Sequence, residues 1–440
     1  MAFLFRGKNT SLKEGFFMAI NRKAAVGFIF ITLLIDVMGW GLIIPVMPRL
    51  VSQLKHIPVN EASTYGALLI SVYAITQFFF SPIVGNLSDR FGRRPVLLSS
   101  LLGFAIDYIF QALAPTYGLL FVGRVIAGIT GASFTTAAAY IADVSTPETR
   151  AKNFGMIGAA FGLGFIIGPA LGGLLAGFGI RAPFYAAATL CLLNFLYGYF
   201  ILPESLDKEH RRAFEWKKAN PFGSLQFLRK TPSIGGLAIC YFLLYLAAQA
   251  VQGNWSYFTI YRFGWKEDMV GISLAVVGLL VGLMQTVVTQ KINPLLGNEK
   301  SIYLGLALYT TGLILFGVAT TTWMMFVFLI PYCAGGIAGP ALQATMAAHV
   351  ARNQQGALQG ALTSLMSLTT IIGPFIMTNL FRYFTTDKAP FHLPGVSFFL
   401  AALFMLMALL VIMGVFKKER KAALVREPLQ DTTNDIAVGS

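Results

Sequence analysis

GNLSDRFGRRP, residues 85–95, is a short polar turn with one acid and three arginines, set between apolar runs that we read as membrane spans over 63–86 and 95–114. Roughly 20 apolar residues cross a bilayer as a helix, so the stretch reads as the hinge of a helical hairpin in a membrane. Its glycines permit a tight turn, and its charges can cap the facing helix ends and form charge-assisted pairs that break and remake. Spacing alone leaves a gating role and a mere orienting role for the arginines equally open.

Outward from this turn the same alternation continues to both ends of the chain. The chain has 440 residues, 56% hydrophobic and 12% charged, with a mean hydropathy of +0.68. A soluble protein carries about 25% charged residues, so this chain cannot cover itself with a surface that water accepts. The apolar runs are long and continuous, which excludes an outer-membrane barrel of short alternating strands. We read an all-α membrane protein of twelve transmembrane helices in two six-helix pseudo-repeats. The first six spans cover 24–48, 63–86, 95–114, 117–142, 153–178 and 181–202. The second six cover 234–258, 269–290, 301–319, 323–348, 357–381 and 395–416.

The corresponding domains are a cytoplasmic N-terminal tail, 1–23, a bundle over 24–202, a cytoplasmic central loop, 203–233, a second bundle over 234–416, and a cytoplasmic C-terminal tail, 417–440. Of the 33 basic residues, 25 fall in the tails, the central loop and the other loops on that side, against 7 on the opposite side. The positive-inside rule puts both termini in the cytoplasm. That placement accounts for the net charge of +14 without nucleic acid. Cys191, Cys240 and Cys333 lie far apart in apolar runs and read as small core residues. The first apolar run is too long for a signal-peptide core, so no cleavage is expected.

Two internal echoes support the duplication. Ile166-Ile167-Gly168-Pro169 in the fifth span recurs as Ile371-Ile372-Gly373-Pro374 in the eleventh, and glycine clusters occupy similar positions in span four (Gly128, Gly131) and span ten (Gly335, Gly336, Gly339). Duplicated bundles around a midplane site are a recurrent transporter architecture.

Ionisable residues inside spans carry the chemistry. At 1.5 Å per residue, Asp36 lies about 18 Å into span one and Asp107 about 18 Å into span three. Arg124 in span four is roughly 20 Å from the cytoplasm across a core of about 30 Å. All three reach one depth. A charge there is costly, faces the bundle interior or a cavity, and finds a partner, so we expect an Asp107–Arg124 interaction, direct or through water, with Asp36 across a cavity. Desolvation favours the protonated carboxyl and a nearby arginine the ionised one. A group held between those forces can load and lose a proton. Gln77 and Tyr73 in span two are polar candidates for the cavity wall. In the second half no Asp, Glu, Lys or Arg interrupts a span. It offers Gln249, Gln252, Asn254, Gln285 and Gln343 instead, with aromatics such as Tyr241 and Tyr245, a mixture suited to a bulky, partly apolar ligand.

The fifth span reads GAAFGLGFIIGPALGG over 158–173. Gly164, Gly168 and Gly172 recur every four residues and share a helix face, so a neighbouring backbone can approach closely. Gly173 adjoins them, and Pro169 removes a helix hydrogen bond and invites a bend.

With these residues in view, the turn at Gly85, Asp89, Arg90, Gly92, Arg93 and Arg94 resembles the loop signature of the major facilitator superfamily. The likeness covers nearly the whole chain and narrows to the tetracycline-efflux branch of drug:proton antiporters. It rests also on Asp36-Val37-Met38-Gly39, Asp107-Tyr108, Gly123 to Ala132, Ile141-Ala142-Asp143, Arg262-Phe263-Gly264-Trp265 and Gly336 to Gln343. The resemblance implies the major facilitator fold, alternating access, and a gate at the cytoplasmic end formed by Asp89, Arg90, Arg93 and Asp143. It implies that the Gly/Pro helix is of the antiporter type. Where that branch carries a histidine in span eight and an acid in span nine, this chain aligns Val281 and Tyr309, and its second cytoplasmic turn, 290–300, lacks the Asp-Arg-x-Gly-Arg pattern. Proton coupling is therefore expected in the first half.

No phosphate loop of the GxxxxGK[ST] form and no HExxH occurs, and the four histidines are scattered among loops and span ends, so neither an ATP-driven pump nor an enzyme is expected. No cofactor or metal is implied. The reading is a monomeric, multi-pass protein of a bacterial cell membrane that exports a small amphipathic organic compound, tetracycline-like or related, in exchange for protons. The alternative is a carrier of a specific metabolite or siderophore-like molecule on the same fold, by symport or uniport. The expected partners are lipid, protons and a small-molecule substrate.

Overall fold

The computed structural model describes residues 26–131, 133–214, 223–231, 234–285, 289–351 and 354–438. The N-terminal tail lies outside them, as does the stretch 215–222 of the central loop. Every regular element among the described residues is helical. The first half comprises α1 (Val26–Ile43), α2 (Met47–Lys55), α3 (Val59–Phe91), α4 (Arg93–Leu113), α5 (Tyr117–Thr130), α6 (Ser133–Val144), α7 (Pro147–Leu175) and α8 (Ala182–Ile201). Then follow α9 (Gly223–Lys230), α10 (Gly235–Phe263), α11 (Glu267–Leu283), α12 (Thr289–Val318), α13 (Thr322–Ala334), α14 (Ala338–Ala348), α15 (Gln355–Phe384) and α16 (Val396–Val438).

Eleven of the described segments are long and apolar enough to cross a membrane. The segment expected as span eight is α11, whose 17 residues run into a π turn at Met284–Gln285. Large apolar side chains stay exposed along the spans, Leu174, Phe200 and Leu410 among them. Such a surface suits lipid, where no hydrophobic penalty attends it.

Expected span one, 24–48, ends early: α1 stops at Ile43, and a turn over 44–46 leads into α2. Spans four, nine and ten also differ from the helices found. Span four breaks at Gly131 into α5 and α6, and span ten breaks through a 3-10 turn at Gly335–Ile337 into α13 and α14. The glycine clusters that the repeat brought out are thus the sites of interruption, where the backbone can leave the helical path cheaply. Span nine lies in α12, which begins at Thr289, ahead of the apolar run, and is kinked at Gly297, whose φ of 74° is open chiefly to glycine. At the opening turn, a single residue separates α3 from α4: Gly92, with φ 107°, ends one helix and starts the next.

Contacts divide the chain into two compact units. One holds the residues up to Pro221 with Ser256–Leu279, and the other holds Phe222–Trp255 with the residues from Leu280 onward. In the first unit α4 packs on α8 and α5, and α3 on α5. In the second, α12 packs on α16, α13 and α14, and α15 on α9. The third span pairs with the sixth, and the ninth with the twelfth, as a repeat requires. The first unit has a buried cluster of Phe28, Ile29, Leu33, Leu97, Tyr140, Ile141 and Leu202. The second is centred on Trp255, whose ring lies 5.1 Å from Phe316, with Phe398 and Tyr332 at 5.7 and 5.3 Å from that same phenylalanine.

Candidate functional site

Asp107 and Arg124 meet directly. The Arg124 guanidinium donates to Asp107 Oδ2, with Asp107 fully buried and Arg124 6% exposed. The approach depends on Gly123, where a Cβ would lie 2.8 Å from Asp107 Oδ1. Gln111, one turn further along α4, donates from Nε2 to the same Oδ2 at 2.9 Å. Arg124 also lies over the Tyr73 ring, 5.6 Å from its centroid, a cation–π contact strengthened by desolvation. Asp107 Oδ1, Gln111 Oε1 and Arg124 Nε have no hydrogen-bond partner among the described residues. Such orphans mark a place for a proton, a water or a ligand.

Tyr73 links this pair to the other candidates. Gln77 donates from Nε2 to the Tyr73 hydroxyl at 3.0 Å and to the Gly131 carbonyl at 2.9 Å. The second bond takes up a carbonyl freed where span four breaks, as a membrane interior demands. Asp36 on α1 has both carboxylate oxygens buried, and its charge acts on Tyr73 and Tyr108. The Tyr108 hydroxyl rests on α1 at Gly39, 2.7 Å from where a Cβ would stand. The first unit therefore draws Asp36, Tyr73, Gln77, Asp107 and Arg124 into one polar patch within an apolar bundle.

The opening turn builds a second network. Arg93 bridges two acids, with Nη1 2.5 Å from Asp89 and Nε 3.2 Å from Asp143, and it donates to Ser88 Oγ at 2.6 Å. Arg94 turns away to the Tyr199 carbonyl, 2.6 Å, while Arg90 is exposed over the Phe91 ring. Gly85 supplies a carbonyl to Ser88 Oγ at 2.7 Å. A cavity of about 300 Å³ adjoins the network, lined by Asp89, Arg93, Asp143, Leu206 and Arg212.

The Gly/Pro helix packs as its spacing predicts. On one face Gly164, Gly168 and Gly172 meet Val37, Met38 and Leu42 of α1. On the other, Gly173 lies against the backbone of Glu267 and Asp268, and the Pro169 carbonyl against Gly271 of α11. Arg49 pairs with Glu267 at 3.0 Å beside that contact. The helix runs unbroken through Pro169.

The amides of the second half divide. Gln249 is buried, 3.4 Å from Thr370 Oγ1, and Gln343 donates at 3.1 Å to the hydroxyl of Tyr241, whose ring lies tilted against that of Tyr245, 4.6 Å between centroids. Asn254 is fully buried with neither amide atom paired among the described residues. Gln252 and Gln285 are exposed and join neither group.

Three residues escaped the sequence reading. Gln111 had a visible signal, its i+4 spacing from Asp107. Glu204 had almost none. Its carboxylate accepts from the backbone N–H of Arg93 at 2.8 Å and of Arg94 at 3.3 Å, capping α4 from a distant segment. Arg181 closes the other end of α4, donating to the carbonyls of Ala112 and Ala114, each at 2.7 Å.

Comparison with known proteins places this geometry. The family model of the Major Facilitator Superfamily matches residues 29–238 and 237–437. The chain is 43% identical over 350 residues to the class C tetracycline resistance protein of Escherichia coli, covering 80% of this chain and 88% of that one. It is 42% identical to the class G protein of Vibrio anguillarum, with 79% and 88% covered. Multidrug resistance protein 2 of Bacillus subtilis is 31% identical, with 82% and 90% covered. Among solved structures, the human organic anion transporter MFSD10 superposes with a TM-score of 0.67 at 23% identity, over 89% of this chain and 99% of its own. The nucleoside transporter NupG gives 0.72 at 13% identity, over 90% and 99%. At such identities the two structures speak for the fold alone.

Proposed function

Since the chain belongs to the Major Facilitator Superfamily, we propose that it is a proton-coupled exporter of a small amphipathic, drug-like compound in a bacterial cell membrane, with both termini in the cytoplasm. The observation that carries this reading is the buried Asp107–Arg124 pair with its unpaired oxygen. An ion pair at that depth is costly to keep, so it is read by default as functional. When the site opens to one side, water and protons reach Asp107, and a protonated carboxyl releases Arg124 toward Tyr73. When it opens to the other, Arg124 returns and the proton leaves. Asp36 is the second carrier, coupled to the first through Tyr73.

The cargo contacts we assign are Tyr73 and Gln77 in the first half, and Gln249, Gln343 and the unsatisfied Asn254 in the second. Relatives named for tetracycline and multidrug resistance support a drug-like cargo. By the resemblance, Val281 and Tyr309 stand where the tetracycline branch carries a histidine and an acid, so tetracycline itself is not assigned as the cargo. The Arg93 network, with Asp89 and Asp143, serves as the inner gate. The tight α7 packing supports exchange rather than cotransport.

The test uses everted vesicles energised to an acidic interior, with tetracycline, then a panel of unrelated amphipathic compounds and then a panel of polar metabolites added outside. Compound-triggered proton release in wild type, lost in Asp36→Asn and Asp107→Asn, is the expected result. Equal release in all three removes the two acids from the mechanism, and a response confined to polar metabolites selects the metabolite carrier instead.

A further inference from the structure

The second half lacks the arginine-rich turn of the first, yet its corresponding end is not bare. Glu299, just beyond the Gly297 kink of α12, pairs with Arg420 on the extension of α16. Glu419, beside Arg420, lies 3.1 Å from Nε2 of His349, the residue that ends α14. Tyr303, one turn along α12, packs its ring 5.8 Å from Phe416, where α16 begins its extension. All these contacts lie within one compact unit.

The positions are those the repeat dictates. Glu299 lies 206 positions after Arg93, and His349 lies 206 positions after Asp143; the Ile-Ile-Gly-Pro echo is offset by 205. In the first half a cation at the start of the third span is held by an acid at the end of the fourth, and a segment following the sixth, with Glu204, is bound to the same helix end. In the second half an acid opens the ninth span, an imidazole ends the tenth, and a segment following the twelfth binds both. The signs are reversed and the arrangement is retained.

The imidazole adds something the first half does not have. Its Nδ1 is 2.8 Å from the Thr345 carbonyl, which can only accept, and its Nε2 faces the Glu419 carboxylate. A ring between two acceptors satisfies both only as the imidazolium, with a proton on each nitrogen. The other charged groups of this region are Glu299 and Lys300 on α12 and Lys417, Lys418, Arg420 and Lys421 on α16, while α15 contributes the neutral Gln355, whose amide caps the Ala347 carbonyl at 2.7 Å. Glu419 is the carboxylate in contact with the ring.

We propose that Glu299, His349, Glu419 and Arg420 form a charge-inverted counterpart of the Arg93 network, a clasp that fixes the end of the last span to spans nine and ten and closes when His349 takes up a proton. Its function as a gate element rests on the transporter reading above, but its closure does not. These are positioning residues, acting through the helix ends they join. Pairs this exposed are individually weak, so the expected effects are small multiples.

Hydrogen exchange is followed in the full chain in nanodiscs at pH 6 and pH 8, with intrinsic rates corrected for pH. Residues 417–421 exchange about two- to five-fold more slowly at pH 6 in wild type, because imidazole is the side chain that changes charge in that interval. His349→Gln and Glu419→Gln each abolish the contrast. Glu299→Arg and Arg420→Glu each raise exchange at both pH values, and the two together restore the wild-type rate. A pH contrast that survives His349→Gln, or a charge swap that fails to restore protection, overturns the clasp. No transport measurement enters, so failure of the clasp and failure of the exporter reading are separately visible.

Discussion

The glycine face of α7 can be tested position by position within a single helix. An ideal Cβ at Gly164 would lie 2.7 Å from Val37 Cβ, and at Gly168 2.7 Å from the Met38 carbonyl oxygen. At Gly172 it would overlap the Leu42 carbonyl oxygen and stand 2.8 Å from the carbon of that group. At Gly158 and Gly162 it would meet nothing within 4 Å. A carbon settles against a carbonyl oxygen at about 3.3 Å, so Gly168→Ala must push α1 and α7 apart by roughly half an ångström and Gly172→Ala by about twice that. Overpacking of this kind costs about 1–3 kcal/mol. Gly158→Ala has no such neighbour and gains roughly 0.5–1 kcal/mol from better helix propensity. Gly158→Ala and Gly172→Ala share the propensity gain, both lying within α7, so they should differ by the overpacking alone, about 1–3 kcal/mol. The assay is thermal unfolding of the purified full chain in one detergent, followed by intrinsic fluorescence. The expected order of Tm is Gly158→Ala above wild type, wild type above Gly168→Ala, and Gly172→Ala lowest by several degrees. Coincident melting of Gly158→Ala and Gly172→Ala would refute the close α1–α7 approach.

Arg124→Met strands a carboxylate that is fully buried and should cost about 3–5 kcal/mol. Adding Asp107→Leu should recover most of that loss, read from the same melting experiment. Glu204→Ala uncovers the first N–H groups of α4 and should cost about 1–2 kcal/mol, visible as faster exchange at the Arg93 and Arg94 amides with the Asp107 region unchanged. Glu148, outside the spans, is held below the ordinary glutamate range by a hydrogen bond from the Thr146 side chain. A lowered carboxyl contributes its stability at pH above the unfolded value and loses it as pH falls through the folded one. Its titration, followed by NMR, should move up toward the ordinary value in Thr146→Ala, and an unmoved midpoint would remove that bond.

Duplication has left the two halves with different chemistry. Buried charge is concentrated in the first unit, where Asp36, Asp107 and Arg124 share one patch. The second unit presents aromatic rings and amides, and keeps the ion pairs of Glu299, His349, Glu419 and Arg420 for its end. Neutral hydrogen-bonding groups can hold a cargo without competing for the proton, which is the physical sense of the proposed assignment of the proton carriers to the first half.

Hydrophobic runs of bilayer length, the excess of basic residues in alternate loops and the four-residue glycine rhythm are local quantities. Composition and order alone therefore set the helical class, the membrane and the duplication. That Asp107 and Arg124 share one level followed too, because helical rise converts position into height. Height is not azimuth, however. Whether Asp107 would reach Arg124 directly, and that Gln111 would share the same oxygen, depended on the rotation of α4 against α5 and on the space left at Gly123. Glu204 illustrates the limit further. It stands beyond the sixth span, yet it caps the helix that opens the third, 111 positions earlier. A backbone N–H donates to any carboxylate that arrives, so no residue type at the cap foretells its partner. The same holds for Glu299 and Arg420, whose pairing reversed the sign of the first-half network. Sequence fixes which groups must leave water, whereas only the packing of distant segments decides which of them meet.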